Sequence, residues 1–236
     1  MEKPDTGESW WSRIFGGGNK SSQTTPPPIV TTKPSGGSTN LPSTGGGRFS
    51  TTYERNDATM LKQLQEAYKY KSFIEEAARR YNFQAALICG IGSRESHWGL
   101  ALKPPGPGGR GDFARRRAKG NRYTAEPPDG PGYGRGLMQI DYDWHEFART
   151  GAWASPRENI LYACEVLIEA KVFVEKNASL SADLKLRAIL AAYNGGATNA
   201  LRAIQAGQDV DANTTGKDYS RDVLSRSGWF QLQGWA

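Results

Sequence analysis

Apolar residues first recur at helical spacing at Leu61, Leu64, Ala67 and Tyr68. A second helix is predicted from Tyr70, Phe73, Ile74, Ala77, Ala78 and Tyr81, with Asn82 able to end it. The run 84–97, QAALICGIGSRESH, is mostly apolar and must form a central, buried helix. Residues 103–136 are rich in Gly and Pro and cannot be helical throughout; a loop of that length is usually functional or mobile. Helical patterns resume at about 143–149 and 156–176. In the latter, Ser155 suits the N-cap, Pro156 the first turn, and Ile160, Leu161, Cys164, Leu167, Ile168 and Val172 the core stripe. Two more helices, 183–193 and 197–206, are broken by Gly195-Gly196, and a last one covers 217–227. No strand pattern stands out beyond 136–140, so the expected class is mainly α.

Ahead of these elements, residues 1–50 contain PPP at 26–28, GGG at 16–18 and 45–47, and many Ser and Thr. Such a stretch cannot bury enough apolar area to offset chain entropy, so a disordered tail is expected before a domain spanning 51–236. The aromatic island Trp10, Trp11, Ile14 and Phe15 reads either as a peptide that docks on a carrier particle or membrane, or as a chance sticky patch. Met1 to Ser9 carries Glu2, Asp5 and Glu8 with no apolar segment after it, unlike a secretory signal. The expectation is synthesis in the cytoplasm and action after release or non-classical export. No run approaches the roughly 18 apolar residues of a membrane helix. The mean hydropathy of −0.63 describes a soluble protein, and 236 residues suffice for one domain plus an appendage.

Charge adds a location. The net charge is +6, and between Lys103 and Arg135 eight basic residues face three acidic ones, so that segment alone contributes +5. It reads as a solvated loop or as a means of capturing an anionic polymer. Cys89 and Cys164 form neither a disulfide framework nor a C-x-x-C metal spacing. Both fall in apolar helical patterns and read as buried thiols, with a single helix–helix disulfide as the alternative.

Splitting a glycosidic bond requires an acid to protonate the leaving oxygen, and an inverting hydrolase adds a second carboxylate to activate water. The acid must hold its proton near neutral pH, which an apolar setting favours. Glu95, at the end of the apolar run 85–92, fits; the other reading is a surface glutamate paired with Arg94 or Lys103.

Three motifs then carry a resemblance. Ser93-Arg94-Glu95-Ser96-His97-Trp98-Gly99 is similar to the catalytic-glutamate segment of goose-type lysozymes. Gly136-Leu137-Met138-Gln139-Ile140-Asp141 resembles that family's G-L-M-Q-[VI]-D hairpin. Ala191-Ala192-Tyr193-Asn194-Gly195-Gly196 resembles the A-Y-N-A-G segment shared with soluble lytic transglycosylases. In the right order over about 70–225, they imply a goose-type lysozyme-like domain with a small β-hairpin at its cleft.

The resemblance implies Glu95 as general acid and Asp141 as one of two aspartates that position water. The other aspartate follows a glycine shortly before G-L-M-Q, and here an insertion separates two candidates, Asp112 and Asp129. Asp129 stands nearer the motif and is preferred; Asp112, preceded by Gly111, stays open. The resemblance also implies that the backbone of Gly136-Leu137-Met138-Gln139, together with Tyr193 and Asn194, lines the cleft; the Met138 side chain reads equally as core packing. Gly134 and Gly136 are expected to let backbone approach the sugar. Tyr193 is a candidate to hold the acid's carboxyl, and His97 to brace the segment after it. His97 and His145 with Asp141 and Asp143 fall in no metal spacing, so neither metal nor cofactor is expected. The implied activity is hydrolysis of the muramic acid–glucosamine bond of peptidoglycan with inversion. The implied partner is the glycan strand rather than nucleic acid, with the chain a monomer. A lytic transglycosylase, a chitin-cleaving enzyme and a non-catalytic wall-binding or particle-associated module are the alternatives.

Overall fold

The structure is a computed structural model that describes residues 47–113 and 126–236. The aromatic island at Trp10–Phe15 and the basic run Arg115–Arg117 with Lys119 and Arg122 lie outside the described residues.

Helix α1 (Ala58–Lys69) starts at Asp57, whose carboxylate accepts the Met60 N–H at 2.8 Å, a side-chain N-cap. Helix α2 (Lys71–Tyr81) stops at Asn82, left-handed at φ 55°, as the pattern predicts. Helix α3 (Ala85–Ser96) is the central element: only Arg94 and Glu95 are not buried. The carbonyl of Ala236 accepts the first two N–H groups of α3, from Ala85 at 2.7 Å and Ala86 at 3.4 Å.

Helix α4 (Phe147–Thr150) is a single turn, shorter than the pattern suggests. The preceding residues are held in a turn in which Asp141 Oδ1 accepts the Asp143 N–H at 2.8 Å. Helix α5 (Pro156–Asn177) opens with Pro156 in its first turn; Ser155 sits at the N-cap position but makes no capping bond. It packs on α2 and on α6 (Ala182–Gly195). Gly196, at φ 84°, breaks the path into α7 (Ala197–Gln205), where Gly195-Gly196 was expected to do so.

After two 3-10 turns, α8 (Tyr219–Leu232) lies along α3. Gly90 is the point of closest approach: a Cβ there would stand 2.2 Å from Ser227 Oγ and 2.7 Å from the Val223 carbonyl. Helix α8 runs past the predicted end because Trp229 and Phe230 continue its buried stripe. Cys89 and Cys164 are buried free thiols, so the alternative disulfide is not formed. Among the described residues no helix is long and apolar enough to cross a membrane.

The strand prediction is corrected. Three two-residue strands, β1 (Arg110–Gly111), β2 (Gly134–Arg135) and β3 (Ile140–Asp141), form an antiparallel sheet in the order β1-β2-β3. Residues 136–139, read as the strand itself, are instead the turn between β2 and β3. The register aligns Arg110, Arg135 and Ile140 on one face and Gly111, Gly134 and Asp141 on the other.

Candidate active site

Glu95, the penultimate residue of α3, opens onto a cleft of about 620 Å³. The residue is half-buried and its carboxyl is enclosed by protein. That burial pushes its pKa up to about 7, against the opposing pull of a Tyr219 hydrogen bond and the Arg94 charge. The buried Tyr219 hydroxyl, at the first position of α8, donates to Glu95 Oε1.

Tyr219 is itself held from both sides. Arg94 turns from its neighbour Glu95 and donates to Asp218 at 2.8 Å, to Asp222 at 2.7 Å and to the Thr215 carbonyl at 3.1 Å. Asp211, fully buried, accepts from the Ser220 N–H at 2.8 Å and the Ser220 hydroxyl at 2.7 Å. The Arg94 donors therefore order the segment that carries Tyr219 rather than pairing with Glu95.

The Gly136–Gln139 turn, which brings Gln139 into the cleft with Glu95, is clamped by three helices. Ser96 Oγ of α3 donates to the Leu137 carbonyl at 2.6 Å, and the Tyr193 hydroxyl of α6 donates to the Met138 carbonyl at 2.8 Å. Asn159 of α5 accepts the Met138 N–H at 2.8 Å and donates to the Arg135 carbonyl at 3.1 Å. Tyr193 therefore holds the turn, and the role expected of it at the acid's carboxyl is taken by Tyr219.

The glycines also serve this packing. Gly136, at φ 68°, leaves room for Asn159 and the Trp153 carbonyl: a Cβ would stand 2.6 Å from the former's Nδ2 and 2.7 Å from the latter. The Gln139 side-chain carbonyl lies over Gly111 and Gly134. The space expected to admit backbone to the sugar is thus filled by Asn159 and Gln139.

The structure brings several of the predicted residues together. Asp112, just past β1 at φ 53°, lines the cleft with Glu95, Gln139, Asp141, Tyr193 and Asn194. Asp141 Oδ1 accepts the Asp143 and Trp144 N–H groups at 2.8 and 3.3 Å, a tight turn that brings Trp144 to the cleft as well. Asn194 accepts the Thr215 N–H at 2.8 Å.

Four others stand apart, Gly136 among them, since Asn159 and the Trp153 carbonyl fill the space over it. The preferred Asp129 is not at the cleft: Arg135 Nη2 donates to its Oδ1 at 2.8 Å, and Arg110 Nη2 lies 3.3 Å from its Oδ2. Met138 is fully buried and its side chain belongs to the core. His97 does not line the cleft; it closes α3 as a left-handed residue at φ 51°, its backbone N–H 3.2 Å from the Ser93 carbonyl.

Sequence reasoning missed Tyr219 and Asn159, and considered His145 only as a metal ligand. Tyr219 meets Glu95 across 124 residues, and no local pattern marks such a pair. His145 lines the cleft, with Nδ1 3.2 Å from the Tyr162 hydroxyl, and burial lowers its pKa to about 4, so it is neutral there.

A mainly helical domain with one enclosed glutamate at the end of its central helix, facing aspartates from a small sheet, defines a lysozyme-like glycoside hydrolase. The sequence profile described as Lysozyme g matches residues 43–234. The chain is 34% identical to lysozyme g of Takifugu rubripes, over 69% of this chain and 74% of that protein. It is 30% identical to lysozyme g of Epinephelus coioides over 80% of this chain and 84% of that one. Against lysozyme g of Gallus gallus, the identity is 30% over 74% and 69%. The chain belongs to the lysozyme g family.

Proposed function

We propose that this chain is a muramidase that hydrolyses the β-1,4 bond between N-acetylmuramic acid and N-acetylglucosamine in peptidoglycan, with inversion. The observation that carries this reading is the enclosed Glu95 carboxyl, half-protonated near neutral pH, in one cleft with Asp112 and Asp141. Tyr219 engages Oε1, which leaves Oε2 to carry the proton delivered to the glycosidic oxygen. Bond cleavage leaves positive charge on the sugar's anomeric carbon. Asp112 and Asp141 orient a water molecule toward it from the other face, and one of them takes the water's proton. The chemistry requires no cofactor.

Direct attack by the muramyl 6-hydroxyl, the transglycosylase reaction, requires the acid but no water-orienting carboxylates. The two cleft aspartates favour hydrolysis. Mass spectrometry of muropeptides from digested wall separates the two: reducing N-acetylmuramic ends are expected, and 1,6-anhydro ends would overturn the hydrolytic reading. Glu95→Gln is expected to slow clearing of purified wall by roughly 10²–10⁴-fold with the fold intact. Unchanged clearing would remove Glu95 from the mechanism.

A further inference from the structure

On the face of the sheet opposite Gly111, Gly134 and Asp141, Arg110 and Arg135 stand directly across from each other. Like charges so placed repel. Arg135 is also 0% exposed, with its guanidinium 4.9 Å from the Tyr142 ring centre and 5.3 Å from that of Trp153. Its Nε and Nη1 find no acceptor among the described residues. The bond from Nη2 to Asp129 Oδ1, at 2.8 Å, is the contact that offsets this buried charge. The other Asp129 oxygen faces Arg110 Nη2 at 3.3 Å, and Arg110 Nη1 donates to the Asp129 backbone carbonyl. One carboxylate thus bridges β1 and β2 behind the cleft. Strands of two residues have few ladder hydrogen bonds, so such a bridge weighs heavily in their relative position. Asp112, a cleft residue, lies two positions beyond Arg110.

We infer that Asp129 is a positioning residue: by joining Arg110 to the buried Arg135, it holds β1 against β2 and keeps Asp112 in the cleft with Asp141. The inference rests on the hydrolytic reading for what Asp112 does, but not for the bridge itself.

The test compares wild type, Asp129→Asn, Arg135→Leu and the double variant on a soluble chitooligosaccharide and in thermal melts. Asp129→Asn should lower kcat by about tenfold or more with KM within about threefold, because a carboxylate displaced by an ångström loses rate more than binding. It should also melt earlier. In the double variant Leu removes the uncompensated charge and packs between Tyr142 and Trp153. Melting temperature should therefore recover, while kcat stays low in the double variant and in Arg135→Leu, because in both the tie between β1 and β2 is cut. If Asp129→Asn is too unstable to assay, the kcat of Arg135→Leu and of the double variant decides. Full kcat in Asp129→Asn overturns the inference. Full kcat in Arg135→Leu also overturns it, because the bridge is cut there with the Asp129 carboxylate intact, and Asp129 would then act on substrate or water directly. If wild type cleaves neither oligosaccharide nor wall, the hydrolytic reading fails, while loss and recovery of melting temperature still report on the bridge.

Discussion

Glu95 couples rate to stability through one proton. With its pKa near 7, the acid form is lost as pH rises through neutrality, so kcat should fall on that alkaline limb. The stability sign follows from the same shift. The folded pKa lies above the ordinary value of 4.5, so the folded state binds more protons between those values. Stability is full below about 4.5 and declines as pH rises through 7. Glu95→Gln has no charge to bury and should be more stable than wild type by roughly 3 kcal/mol at pH 8, but not at pH 4. Melting curves at the two pH values check this; an equal difference at both would disprove the linkage. Tyr219→Phe removes a donor that favours the ionised carboxylate, so the alkaline limb should move to higher pH. A limb that stays in place would mean that Tyr219 only packs.

At the level of elements, the cleft exists because three helices grip one turn. Gly136→Ala tests that grip. The added methyl meets Asn159 and the Trp153 carbonyl at a positive φ, and relief requires breaking the Asn159 bonds to Arg135 and Met138. A loss of about 2–4 kcal/mol and a melting temperature lower by several degrees are expected. Activity should fall too, because the same turn leads into Asp141. Asn159→Ala should produce a loss of the same kind, since it leaves the Met138 N–H buried without its acceptor. Wild-type melting in both variants would show that the turn needs no clamp.

At the scale of the whole molecule, the positive charge concentrated between Lys103 and Arg135 should act through rate of encounter with an anionic wall. Replacing Arg115, Arg116, Arg117 and Lys119 by Ser should slow lysis of whole wall below about 50 mM salt and change little at high salt, where screening acts within a few ångströms. A short neutral chitooligosaccharide should be cleaved at an unchanged rate; equal loss on both substrates would mean that the segment shapes the cleft. Much of the molecule is legible from the chain alone, because helices follow local periodicity and the three motifs are contiguous. The buried helix ending at Glu95, the left-handed stop at Asn82 and the break at Gly195-Gly196 all follow from neighbours within a few positions. The sequence pattern ends α8 too early and makes a strand of the turn at 136–139, because each depends on partners far along the chain. Distance also decided the site. Gly111-Asp112 and Pro128-Asp129-Gly130 are equally plausible turn formers in sequence. Only the fold aims Asp112 into the cleft and ties Asp129 to Arg110 and Arg135. Likewise Tyr219 reaches Glu95 only because α8 packs along α3, a contact between segments that no local pattern encodes.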